Sequence, residues 1–113
     1  AENVDAVRFL VTCQLESILG MGALATAQYF KNQMSNQEKY ILDEERFFYR
    51  RIYGAIRQEV AAGGLLGQAK TITDDVLGVS RGIIYDWCLH EGGYDLIEKG
   101  RRACDMVLAY YKP

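Results

Sequence analysis

The sequence predicts an all-α fold, a bundle of about five helices, and three observations carry that prediction. Apolar residues recur at three- and four-residue spacing along most of the chain, and no useful stretch alternates with period two. The single proline is the final residue, Pro113, so the body of the chain lacks the strongest helix breaker. A length of 113 residues fits one domain over residues 1–113.

The first helix is read from Val4 to Leu19, where Val7, Leu10, Val11, Leu15 and Ile18 keep helical spacing behind Asn3 as N-cap. Gly20 and Gly22 interrupt it, and a shorter helix follows from about Ala23 to Lys31. Ser35 and Glu38 form an S-x-x-E capping box, which predicts a long helix with Ile41, Phe48, Ile52, Ala55 and Ile56 on one side. Gly63 and Gly64 stop it. The fourth helix begins at Gln68 or Ala69 and runs to about His90, where Gly92 and Gly93 end it. The fifth opens on Asp95 and Glu98, a second reciprocal capping pattern, and continues to about Tyr111.

The last two helices carry more apolar surface than one stripe. On the fourth, Ile72, Val76, Val79, Ile83 and Trp87 make one row and Leu77, Ile84 and Cys88 a second. A third row, Gly78, Gly82, Tyr85 and Leu89, has two glycines one turn apart and offers a shallow groove to another helix. On the fifth, Ile97, Gly100, Cys104, Leu108 and Tyr111 form one row, and Leu96, Ala103, Val107 and Tyr110 another. A chain of this size covers one such face internally, so the surplus predicts association with a second copy.

Composition narrows the function. A net charge of −2 and a pI near 5.4 leave no basic footprint for nucleic acid. No apolar run reaches 18 residues and no signal pattern opens the chain, so a cytoplasmic protein without membrane contact is expected. Cys13, Cys88 and Cys104 are odd in number, widely spaced and accompanied by one histidine, and they read as small buried hydrophobes. No metal-spaced cluster, phosphate loop, nucleophile elbow or cofactor motif is present, and no enzyme is expected. His90, beside a glycine turn, reads as a helix C-cap. Asp43, Glu44 and Glu45 with Arg46, Arg50 and Arg51 read as a solvated helix face.

The stretches FFYRRIYGAIRQEVAAGG and RGIIYDWCLHEGGYDLIEKG, followed by an amphipathic terminal helix, resemble the C-terminal half of TetR/AcrR-type transcriptional regulators. The likeness covers the last two thirds of the chain, and YDWCLHEGGYDL, residues 85–96, is its most specific piece. It implies an effector-binding and dimerisation domain whose last two helices form a four-helix bundle with those of a partner subunit. It also implies an N-terminal helix-turn-helix domain, expected to lie outside this sequence, through which alone DNA would be contacted. GVSRGIIYDW, residues 78–87, imitates the turn and recognition helix of that motif. However, Thr73, Asp74 and Asp75 precede it and Ile83, Ile84 and Trp87 would face solvent, so it reads as coincidence.

On this resemblance the effector is a small molecule, apolar or aromatic, and Phe9, Cys13, Tyr29, Phe30, Phe48, Tyr49, Tyr53 and Trp87 are the material for its pocket. The interface would comprise Gly78, Arg81, Gly82, Tyr85, Asp86 and Leu89 of the fourth helix, with Gly100, Cys104, Val107, Leu108 and Tyr111 of the fifth. Asp86, between Tyr85 and Trp87, calls for a partner such as Arg81 or an arginine of the final helix. The alternative reading is a stand-alone helical homodimeric interaction module with neither effector nor DNA target.

Overall fold

Five α-helices and one 3-10 turn make up the computed structural model, which describes residues 2–113. They are α1 (Glu2–Met21), α2 (Ala23–Ser35), the turn Tyr40–Leu42, α3 (Phe47–Ala61), α4 (Ala69–Leu89) and α5 (Leu96–Tyr110). No strand occurs among the described residues, as the periodicity predicts.

α1, α5, α4 and α3 close a ring in which each packs on the next, and α2 lies against α4 and α1. The core is built from the inward stripe of each: Val7, Val11 and Leu15 of α1, Ile52 and Ile56 of α3, Ile72, Val76 and Ile84 of α4, and Leu96 and Leu108 of α5. At the crossing of α1 and α5, Gly100 lies so close to Leu15 that a Cβ would overlap the leucine side chain. Arg8 Nε reaches Asp105 Oδ1 at 2.6 Å beside that crossing.

The first half of the chain departs from the sequence reading in two places. Asn3 is inside α1, not its cap, since the helix already includes Glu2, and its amide donates to Glu59 Oε1 of α3 at 3.2 Å. The capping box at Ser35 does not open a helix. Ser35 Oγ instead donates to Lys31 O at 2.9 Å and closes α2. Between α2 and α3 runs a strap, residues 36–46, held by polar side chains rather than by an apolar stripe. Lys39 Nζ donates to Gln33 O at 2.6 Å and Met34 O at 2.9 Å, and Gln33 Oε1 accepts from Ile41 N at 2.9 Å. Free carbonyls at a helix C-terminus attract such donors, and these bonds compete with continued helix. Asp43, Glu44 and Glu45 therefore sit in the strap with Arg46, where Glu44 receives Lys70 Nζ at 2.9 Å, and not on a helix face with Arg50 and Arg51.

The glycines mark the turns that need them. Gly22, at φ +87°, joins α1 to α2 across a bend of 108°. Gly63, at φ +84°, ends α3, with its N–H on Val60 O at 3.1 Å and that of Gly64 on Glu59 O at 2.9 Å. At the start of α5, Asp95 Oδ1 accepts from Glu98 N at 3.0 Å as read, while the Glu98 carboxylate turns to Arg102 at 3.3 Å instead of closing the box.

α4 is uninterrupted through residues 78–87, so no helix-turn-helix is formed there, and Ile84 and Trp87 lie in the core. No single described helix is long and apolar enough to cross a membrane.

Candidate ligand cavity and association face

A cavity of about 340 Å³ opens where α2 and the strap lean on the ring. α1 contributes Cys13, Gln14, Ser17 and Ile18, and α2 contributes Tyr29 and Phe30. Ile41 of the 3-10 turn, Arg46, Phe48 of α3, and Arg81 and Ile84 of α4 complete the walls. The space exists because α1 buries Val4, Val7, Val11 and Leu15 in the ring and turns its flank, with Gln14 and Ile18, toward α2. Ser80 Oγ donates to Gln14 Oε1 at 2.9 Å and fixes that flank against α4. A second cavity, of about 380 Å³, adjoins it between α2, the strap and α4 and shares Phe30, Ile41 and Arg81.

Of the aromatic and thiol residues expected to line a pocket, Cys13, Tyr29, Phe30 and Phe48 are brought together here. The other four are not. Phe9 is 67% exposed, because it lies two residues from Val7 and Val11 and so on the opposite side of α1. The same offset from Val11 and Leu15 makes Cys13 exposed rather than buried; Cys88 is half-buried and Cys104 buried, with burial pushing the Cys104 thiol up to about 11. Tyr49 and Tyr53 stack at 6.3 Å on the outer side of α3, over a charged groove with Arg50, Arg57 and Lys70. Tyr49 Oη donates to Asp74 Oδ1 at 3.1 Å, and its pKa is pushed up to about 12 by burial and then by that carboxylate. Trp87 is a core residue whose indole N–H donates to Tyr94 O at 3.1 Å.

The polar lining escaped the sequence reading. Gln14 and Ser17, one turn apart beside Ile18, were the available signal on α1. Arg81, expected at the interface, faces both cavities; it was the one cation in an apolar run of α4.

The candidate association face joins α5 to the row of α4 that begins at Gly78, and Gly82 and Tyr85 of that row also line the second cavity. The row Gly78, Gly82, Tyr85 and Leu89 is exposed, as are Val79 of α4 and Met106 and Tyr110 of α5; Leu89 is 64%, Met106 63% and Tyr110 81% exposed. A groove of about 550 Å³ runs between the two helices, floored by Ala103 and Val107 and edged by Gly78, Val79, Met106 and Tyr110. A Cβ added at Gly78 or Gly82 would meet nothing of this chain within 4 Å, so packing inside the chain does not demand glycine at either position. Each costs a helix about 1 kcal/mol relative to alanine. Gly54 of α3 is equally open but stands alone between Arg50 and Arg57.

Three of the five residues expected at the interface on α5 face inward instead. Gly100, Cys104 and Leu108 are buried in the chain's own core, because that row is the one α1 covers. Val107 and Tyr111 are half-buried at the groove, and Tyr111 Oη bonds to Asp75. Met106 takes the outward place that the sequence reading assigned to that row.

Asp86 is half-buried, and its partners are neither Arg81 nor an arginine of α5. Tyr94 Oη lies 3.0 Å from Asp86 Oδ2, Lys99 Nζ 3.7 Å and His90 Nδ1 3.5 Å. Burial and then this carboxylate push Tyr94 up to about 12. His90 Nδ1 donates to Asp86 O at 2.9 Å and closes the end of α4, the capping role read from its position.

Comparison with known proteins finds no matching family model, no similar curated protein and no similar solved structure.

Proposed function

We propose that the chain is the effector-binding and dimerisation domain of a TetR-like, cytoplasmic transcriptional regulator, with DNA contacted by a separate helix-turn-helix segment. The observation that carries this reading is the uncovered α4–α5 face, with two glycines that its own packing does not require. Such a row suits close approach of the same row in a second copy, which is the geometry of a two-fold helical interface. The likeness of residues 85–96 to that family agrees with it independently.

One helix borders both features, which gives the reading a mechanism. Arg81 and Ile84 face the cavity and Gly82 and Tyr85 line its neighbour, while Gly78 and Val79, one turn back on the same helix, edge the groove toward α5. A small molecule that shifts α4 by entering the cavity shifts the association face with it, and so the relative placement of two attached DNA-binding segments. The effector controls DNA binding only through a difference in its affinity for the two arrangements. No catalytic step is part of this reading.

Sedimentation at micromolar concentration tests it. A particle of twice the 12.8 kDa chain mass is expected, converted to a monomer of unchanged helicity by Tyr85→Glu. A wild-type monomer under those conditions overturns the reading. The uncovered face alone also supports a stand-alone homodimeric module. Dimerisation without any ligand-dependent rise in melting temperature favours that second reading.

A further inference from the structure

The charge around the cavity is one-sided. Arg46 and Arg81 line it, Arg81 and Lys39 line its neighbour, and among the described residues no carboxylate lines either. This is separation and not excess, because the chain carries 15 acidic residues against 13 basic ones.

The three cations differ in what holds them. Lys39 is occupied by backbone carbonyls at the end of α2. Arg46 donates through Nη1 to Ile41 O at 3.0 Å and lies over the Tyr40 ring at 4.8 Å. Arg81 forms no ion pair with any described carboxylate, though it is half-buried. Burial lowers its pKa from the usual value, the charge of Asp74 works against that, and Arg46 adds to it. Asp74 itself is engaged by Tyr49 and Lys70. A guanidinium stays charged and presents five donors in a planar fork, so a half-buried one without an anion is a site with its counter-charge missing.

We propose that the cavity binds an amphipathic monoanion: an oxyanion head, such as a carboxylate, in the fork of Arg81 with Arg46 as second charge, and an aromatic or acyl body between Phe30, Phe48, Ile18 and Ile84. The inference rests on the reading of this cavity as the effector site, and it replaces a merely apolar effector with a charged one. Tyr29, Gln14 and Ser17 of the same lining supply neutral hydrogen-bonding groups. A volume of about 340 Å³ is at the small end of ordinary ligand sites, which suits a compact molecule.

Titration calorimetry at neutral pH with two pairs, each an anion and a neutral compound of similar apolar body, tests the proposal: decanoate against decanamide, and 2-naphthoate against 2-naphthamide. The wild-type chain is expected to bind each anion about tenfold or more tighter than its neutral partner, the worth of one charge-assisted hydrogen bond. Arg81→Gln is expected to remove that preference, lowering the affinity for each anion more than that for its neutral partner, while Arg81→Lys retains part of it. Equal affinity within both wild-type pairs overturns the inference, needs no folded variant, and leaves the effector cavity standing. Unchanged anion binding by a folded Arg81→Gln protein overturns it in the same way. Binding of no member of either pair to a protein that sediments as a dimer overturns the inference and the effector reading together.

Discussion

The α4–α5 hairpin and the segment from α2 through the strap are held by different forces. α4 and α5 bury Ile72, Val76, Leu77, Ile84, Trp87, Leu96, Cys104 and Leu108 in the common core, and their ends are closed by Asp95 and His90. α2 fully buries only Thr26 and Gln33, both polar, and among the described residues Thr26 Oγ1 is a buried atom without a hydrogen-bond partner. Apolar burial stabilises the hairpin in proportion to area, whereas the strap depends on a few directional bonds whose net worth is about 1 kcal/mol each. The cavity proposed for a ligand lies between the two, with one wall from the well-packed ring and one from the strap. In the proposed reading that wall is the one that yields to a ligand, since moving elements are drawn from regions of low local stability.

One substitution on each side separates the two forces. Ile56→Ala, at a fully buried position of α3, is expected to cost about 2–5 kcal/mol in urea unfolding, enough to threaten the fold of the whole ring. Gln33→Ala removes the acceptor of Ile41 N and is expected to cost about 1–3 kcal/mol. Its hydrogen-exchange signature would be confined to the strap, with the Ile41 amide exchanging faster and α4 unchanged. A global loss as large as that of Ile56→Ala would show that the strap is part of the cooperative core after all.

A smaller effect, read by pH, concerns the ring alone. Tyr49 and Tyr94 have folded pKa values raised from 10 to about 12, each by burial first and by a carboxylate second. The unfolded chain releases these protons at lower pH than the folded one. Their contribution is therefore complete below about pH 10 and is lost as pH rises through about 12. Thermal melting between those values is expected to show a decline that Tyr49→Phe with Tyr94→Phe makes shallower. An unaltered slope in the double variant would assign the alkaline loss elsewhere.

How much was legible in advance follows the same division. The ends of α4 and α5 were read to within a residue or two, because glycine pairs, Asp95 and a continuous apolar period all point to the same limits. The strap was misread as helix: Ser35 and Glu38 satisfy a local pattern, but the donors that decided the matter, Lys39 and the Gln33 amide, act across several residues. The cavity was half legible. Tyr29, Phe30, Cys13 and Phe48 were among the residues expected there, whereas Phe9, Tyr49, Tyr53 and Trp87 have the same chemistry on other faces. Residue type names material for a pocket, and only the direction of each side chain on its helix selects from it.

The sequence by itself determined the helical class, the position of most turns and the surplus of apolar surface on the last two helices, since all three follow from local spacing and backbone preference. The tertiary structure decided which row of that surplus is spent internally. α1 crosses α5 at Gly100 and covers Cys104 and Leu108, leaving Gly78, Gly82, Tyr85, Leu89 and Met106 outside. It also turned Arg81 from an expected contact into the lining of a cavity. Two rows on one helix are equivalent in spacing until a neighbouring helix packs against one of them.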